Sequence, residues 1–579
     1  MLQIISGKFY GDRHIHENKG RGILYSNFSW FNSIETDIAS LEPADLHGDV
    51  KGYVISYVNK LESDEGNGFS LVRTGDSEIV QQFRLLCSFG LNAYFDHDKV
   101  TVQMNCREKS VGIGDDTVPA QFVPKFFKRE INGTAVEVDN LISFVKHVIG
   151  LKREDYNNVI ACLTNYLDAL EAVNYNIDLA YSMIIYSLEA LSKKYNDYTP
   201  SWLDYDQRLK KELEAHFETI DGEKAQGIKD ILVKSAHLKL QQNFIDFVCR
   251  NLSDSFFEEE SFGVTAALKK SELKRALRNA YILRSGYVHE LRTILKQLKI
   301  HTIAAGDVYN WQGEPYLTFS GLIRVFRHVV KNFIWSRETV TTENINWRSE
   351  LPGVVSVELA PQYWVWKHES FLTSHATGKF SGFLSQLAGV LSQNEPLTDL
   401  KELLEKYIVL LPNAKRMEKV SMYCMFFLYT ISVREEHRPV NHQKFISDNT
   451  RLTEMPCIEN MVTYLYIGQD WPWEKEVCQS TYDEYNTSRF SANSLKLPSI
   501  FEIGILCRLA NLCDPVEDSS NRTRLFNQAR HEAAGLEQIQ KYIEKCLENE
   551  CDADISHILK GCREELDESG NTFGSAEPT

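Results

Sequence analysis

Near Asp155 the spacing of apolar residues changes period, and this switch constrains the fold more than any other feature of the chain. Before it, β-branched and aromatic residues recur in short segments at 22–28, 52–58, 69–72, 99–104 and 134–138. Each has the length and composition of a strand, and turn residues separate them. Asn67-Gly68 is the clearest turn, because both residues tolerate positive φ. Gly112, Gly114, Asp115 and Asp116 mark a loop. After the switch, apolar residues return every three or four positions, as on an amphipathic helix. Helices are expected at 157–173, 177–195, 206–220, 222–247, 268–300 and 321–335. An irregular aromatic stretch follows at 338–370. Further helices are expected at 380–393, 397–411, 415–434, 499–512 and 524–547. The expected fold class is mainly α with an N-terminal β-rich domain. The expected division is a β-rich domain over 1–150, a helical bundle over 151–340, a C-terminal helical region over 341–563 and a disordered tail over 564–579.

Several classes of protein are disfavoured. The strongest apolar run, 420–433, is about 14 residues against the ~20 that span a bilayer, so a buried core helix is expected and no membrane partner. The first twenty residues hold Asp12, His14 and Glu17 where a secretory signal would be apolar. The twelve cysteines form no C-x-x-C, and the closest pairs, Cys507/Cys513 and Cys546/Cys551, match no zinc spacing. Reduced, mostly buried thiols in a cytoplasmic protein are expected. His14 and His16 would share one side of a strand but have no companion ligand, so no metal is expected. No phosphate-binding glycine loop, G-x-S-x-G or H-E-x-x-H is present, and no cofactor is expected. Trp364/Trp366 and Trp471/Trp473 are expected to anchor a core. Asp96, His97 and Asp98 read as a polar turn.

The formal net charge is −17, so the average surface repels nucleic acid. One segment departs from it. Residues 268–300 hold nine basic side chains against Glu272 and Glu290. Such a helix is either a solvated face or the footprint of a phosphate-bearing ligand. Lys274, Arg275, Arg278 and Arg292 are the candidate RNA contacts. The same segment reads Arg284-Ser285-Gly286-Tyr287-Val288-His289. An Arg followed by His after four to six residues is weak by itself. With 27 Arg and 16 His, about two such spacings arise by chance, and two are found, Arg284/His289 and Arg524/His531.

Context separates them. The first follows Leu188-Glu189-Ala190-Leu191 on an earlier amphipathic helix, and it continues R-S-x-x-V-H. This pairing resembles the Apea-like HEPN family of ribonucleases, over about 155–336. The helix at 321–335, with Arg324, Arg327 and His328, would close the bundle. One departure is Glu290 after His289, where glycine is common. The resemblance implies a HEPN-like helical bundle and a metal-independent endoribonuclease, toxin-like or antiviral, cutting RNA by attack of its own 2′-OH. It implies a homodimer whose cleft joins motifs from both copies, held in check until the N- or C-terminal region senses a phage or host trigger. His289 would move protons, because histidine titrates near neutrality. Arg284 would hold phosphate oxygens with its fork of donors. Ser285 shares the His289 face four residues away. Glu189 would orient Arg284 or His289, or form a structural ion pair. The alternative function is a non-catalytic HEPN module that binds RNA or protein. A third reading makes Arg284/His289 a structural pair in an unrelated helical protein. The second spacing has Leu525 after its Arg and no matching upstream helix, and is read as chance.

Overall fold

The structure, a computed structural model, describes every residue except 11–13, 63–74, 108–117, 200, 205–206, 234–235, 353, 356, 394, 492 and 563–579. The expected strand at 69–72, the turn at Asn67-Gly68, the glycine-rich loop and the 564–579 tail lie outside the described residues. Strands β1 (His14–Ser26), β2 (Ile34–Glu35), β3 (Ala39–Asp45), β4 (Lys51–Glu62) and β5 (Phe95–Asp96) form one antiparallel sheet in the order β2-β3-β4-β1-β5. Tyr53, Ile55 and Tyr57 alternate into the core along β4. Gly20 leaves the space that Tyr57 fills. A Cβ at Gly20 would stand 2.2 Å from the Tyr57 ring.

Two expected strands are helices instead. Residues 99–104 lie in the helix Lys99–Asn105, capped by Asp98, whose carboxylate accepts from the Thr101 N–H at 2.8 Å. Residues 134–138 begin helix α2 (Ala135–Gly150), where Thr134 and Glu137 form a reciprocal capping box. In both places the cap outweighs the strand preference of the valines and threonines behind it. Helix α1 (Asp76–Leu91) packs beside α2 and was not expected. It carries Arg84, which donates to the Phe95 carbonyl and to Asp96, both at 2.6 Å, and pairs with Glu171. The polar turn at 96–98 is therefore structural.

Helices α3 (Arg153–Ala172), α4 (Ile177–Tyr195), α5 (Ala236–Arg250), α6 (Leu273–Glu290) and α7 (Phe319–Ser336) follow. The segment expected as one helix over 222–247 is two, Gly222–Val233 and α5. The 268–300 segment is α-helical only over Leu273–Glu290, with a short 3-10 turn at Lys296–Lys299. Leu291 then takes a left-handed conformation (φ 52°), and the Arg292 N–H closes on the Gly286 carbonyl. A hairpin absent from the expectations, β6 (Val308–Trp311) and β7 (Glu314–Leu317), turns at Gln312 and Gly313, both at positive φ. Tyr181 of α4 donates to the Leu317 carbonyl at 3.1 Å, and Asn279 of α6 donates to the Pro315 carbonyl at 2.9 Å.

The chain divides into two compact units, Met1–Val355 and Ser356–Thr579. The sheet and helices α1–α7 share one hydrophobic cluster in the first unit. The second unit is helical with its own core. Its helix α8 (Ala376–Gln393) carries Lys379, which donates to the carbonyls of Trp364, Val365 and Lys367 at 2.6–3.1 Å. The apolar run at 420–433 lies in the buried helix α9 (Arg416–Ser432). Helix α10 (Ile458–Tyr466) buries Glu459. Helix α11 (Ser499–Asn511) precedes α12 (Ser519–Glu532). The segment expected as one helix over 524–547 divides into α12 and Glu537–Glu548. Trp471 and Trp473 donate to the Met461 and Glu454 carbonyls, and Trp364 donates to Leu359. All twelve cysteines are unpaired and ten are buried. Among the described residues no helix is long and apolar enough to cross a membrane, and no cluster of His, Cys, Asp and Glu could hold a metal ion.

Candidate functional site

Helix α4 starts at Asn176, whose side chain accepts from the Leu179 N–H at 3.0 Å. The same carboxamide donates to Tyr287 Oη at 3.3 Å, joining the start of α4 to the last turns of α6. The two helices run side by side and bring Glu189 against Arg284. Arg284 Nη2 lies 2.8 Å from Glu189 Oε2, with the side chains 12% and 10% exposed. Tyr281, one turn earlier on α6, is buried, with the Arg284 guanidinium 5.8 Å from its ring centre. Burial, and then the Glu189 carboxylate, push the Tyr281 hydroxyl up to about 12.

The pair is close without being saturated. Arg284 Nε has no hydrogen-bond partner among the described residues, although it is buried. A buried N–H left open is costly, and an acceptor brought to it recovers that cost. A phosphate oxygen is such an acceptor, and a guanidinium binds it by charge as well.

His289 lies elsewhere on the helix. Five residues turn an α-helix by about 140°, so His289 does not share the Arg284 face. It projects from the last turn of α6, is exposed, and makes no hydrogen bond or ion pair with a described residue. Ser285 is half-buried one turn before it. One copy of the chain thus joins Arg284 to Glu189 and leaves His289 apart from both.

The basic segment is less positive than its sequence. Arg275 is held by both oxygens of Glu314 at 2.5 Å. Arg292 pairs with Glu290. Lys270 meets Asp254 at 3.1 Å, and Lys299 meets Asp178 at 2.5 Å. With Arg284 on Glu189, five of the nine basic side chains have a carboxylate partner. Lys274 is exposed and Arg278 is half-buried, and no ion pair holds either at contact distance among the described residues.

A second constellation escaped the sequence reading. On α7, His328 is buried with Nδ1 3.0 Å from Glu260 and Nε2 2.9 Å from Ser253 Oγ. The backbone N–H of Ser253 also points at Nε2, at 3.2 Å, which places the ring proton on Nδ1 facing Glu260. That hydrogen bond holds the Glu260 carboxyl below its ordinary range. A Ser–His–Glu chain has the form of a hydrolase relay. Here Nε2 also takes the Asn332 amide at 2.9 Å, so three donors crowd one lone pair and the hydroxyl is not singled out. The ring instead fastens the 253–260 segment to α7. The spacing of Arg324, Arg327, His328 and Lys331 along one face of α7 was the sequence trace of this region.

Compared with known proteins, the chain matches no family model, no curated protein and no solved structure.

Proposed function

We propose that the chain is a metal-independent endoribonuclease of HEPN type, with Arg284 and His289 as its working pair. The observation that carries this reading is the largely covered Arg284 on α6, oriented by Glu189 on α4 and left with an open, buried Nε–H, on the same helix as an exposed histidine. Two copies of the chain in a homodimer would bring two such pairs to one cleft. Ile282 and Val288 on α6 and Tyr186 on α4 leave about half of their apolar surface uncovered, which suits a second copy.

In the reaction the RNA 2′-oxygen forms a bond to the adjacent phosphorus and gives its proton to one His289. The bond from phosphorus to the 5′-oxygen breaks, and that oxygen takes a proton from the other His289. Arg284 holds the charge that gathers on the phosphorane oxygens. The products carry a 2′,3′-cyclic phosphate and a 5′-hydroxyl. Such an activity in the cytoplasm would be toxic, so a trigger sensed elsewhere in the chain, and a role as an antiviral effector, belong to the same proposal.

The test is purified full-length chain on end-labelled RNA, beside His289→Ala. Cleavage by the wild type with cyclic-phosphate ends, lost in the variant, is the expected result. Equal cutting by both proteins, or cutting by neither when cells challenged with phage supply the trigger, sinks the reading. A second reading is favoured by the carboxylate that already occupies Arg284: a HEPN module that binds RNA without cutting it. In that case overexpressed wild type and His289→Ala slow growth equally or not at all.

A further inference from the structure

A cavity of about 670 Å³ lies in the first unit, where the end of α1 and one face of α2 meet α7 and the crossing of residues 263–265 with 305–307. Its size is that of a small-molecule site. The crossing is tight: a Cβ on Gly306 would stand 2.1 Å from the Thr265 carbonyl oxygen, and the Asp307 N–H donates to that oxygen at 3.2 Å.

The charges around it do not cancel. One of its two carboxylates has a cationic partner and the other meets a neutral ring. Asp307 takes Arg324 through both oxygens and the Leu268 N–H at 3.0 Å, and Glu260 takes His328. Three cations then remain without a carboxylate at contact distance among the described residues, and Lys331 acts on Glu260 from farther off. Arg327 donates only to the neutral Phe89 carbonyl at 2.7 Å and the Tyr166 hydroxyl at 3.3 Å. Lys125 and Lys331 are exposed in the wall and make no ion pair. Arg327, Lys125 and Lys331 against the charge of Glu260 leave a surplus of two positive charges around one concavity, in a chain of net charge −17, and this local positive field favours an anion. A planar guanidinium beside two ammonium groups suits phosphate oxygens.

The remaining wall is not that of a simple anion hole. Trp335 is 43% exposed and has the His147 ring behind it at 4.5 Å, so its indole offers a flat, supported surface. Asn92 and Asn140 bring carboxamides that can both donate and accept. We propose that this cavity binds a phosphate-bearing small molecule with a flat ring, of the nucleotide class. The phosphates lie among Lys125, Arg327 and Lys331, the ring lies against Trp335, and the carboxamides read its polar edge. The site is separate from Arg284 and His289 and stands whether or not the chain cuts RNA.

The test is titration calorimetry on the full chain in EDTA, with ATP, GTP, pyrophosphate and adenosine as probes. The variants are the double charge reversal Lys125→Glu/Lys331→Glu, Trp335→Leu and His289→Ala. Both lysines are exposed, and an unchanged melting curve checks that the double variant is folded. One ATP or GTP per chain is expected, weakened at least about tenfold by the double reversal and several-fold by Trp335→Leu, and unchanged by His289→Ala. Pyrophosphate and adenosine are each expected to bind more weakly than the nucleotide that joins them. The proposal is overturned if neither nucleotide saturates the protein, if the folded double variant binds as the wild type does, or if pyrophosphate binds as tightly as the nucleotide. Binding lost in His289→Ala instead would place the nucleotide at the RNA site and also overturn it.

Discussion

Arg284 and Arg524 stand in nearly the same sequence relation to a histidine, one in each compact unit, and their surroundings have little in common. Arg284 is largely covered and meets a carboxylate from another helix. Arg524 is exposed and donates at 2.8 and 3.1 Å to Asn521, one turn back on its own helix α12. His531 is exposed as well. The difference teaches that the spacing itself specifies nothing. What distinguishes the first pair is a second helix that supplies Glu189 and holds the guanidinium in place.

The comparison can be broken at several points. The largest effect is expected in RNA cleavage. His289→Ala should lower the rate by roughly 10²–10⁴, the usual contribution of a general acid or base, while His531→Ala leaves it unchanged. Cutting that depends on His531 would reverse the assignment of the two spacings.

Next comes stability. Glu189→Ala leaves the largely covered Arg284 without its counter-ion, at a cost approaching the about 3–5 kcal/mol of a fully buried pair. Arg524→Ala removes an exposed contact and should stay within about 0.5 kcal/mol. Amide hydrogen exchange resolved to Ile177–Tyr195 and Ser519–Glu532 separates the two units, which a single melting temperature does not. Equal exchange in the two variants would mean that the Glu189 pair holds nothing together.

A smaller effect is expected in the second unit, where Glu459 is buried and burial raises its pKa above the ordinary carboxyl range. The folded state therefore keeps a proton that the unfolded chain releases. Stability from this source is full below the unfolded pKa and is lost as pH rises towards the folded one. Glu459→Gln should flatten that fall, seen as denaturation midpoints of the second unit that no longer drop with pH. An unchanged slope would show that Glu459 does not carry it.

The smallest effect concerns the basic helix. Arg275 is neutralised by Glu314 and Lys274 is not, so Lys274→Ala should weaken RNA binding and reduce its salt dependence by about one counter-ion. Arg275→Ala should do less. The reverse order would mean that RNA displaces Glu314.

Much of this was legible in the sequence, and the losses have physical causes. Helix α4 was expected with its observed bounds, because its apolar period is strong and Asp197, Thr199 and Pro200 follow its end in the sequence. The mainly helical character was legible for the same reason, but the switch expected near Asp155 comes earlier, since Asp76–Leu91, Lys99–Asn105 and Ala135–Gly150 are already helices. The expected strands at 99–104 and 134–138 are helices because their caps outweigh the local β-branched content, and Thr134 and Glu137 have the spacing of a capping box. The break after Glu290 gave no trace, since the left-handed residue there is Leu291 and not glycine. Charge cancellation was also invisible. Asp178, Glu189, Asp254 and Glu314 are scattered in sequence and are gathered around the basic segment only by the fold.

The break at Glu290 sets the two side chains of the proposed site on unequal footing. Arg284 lies a turn and a half inside the helix and is locked to a neighbour. His289 sits on the final turn, beside a left-handed residue that is 82% exposed. Opening a terminal turn costs far less than unfolding a buried one. Were the proposed cleavage borne out, the helix would supply a rigid anvil for the phosphate and a hinged hand for the proton, and the hand could reach for a substrate without disturbing the anvil.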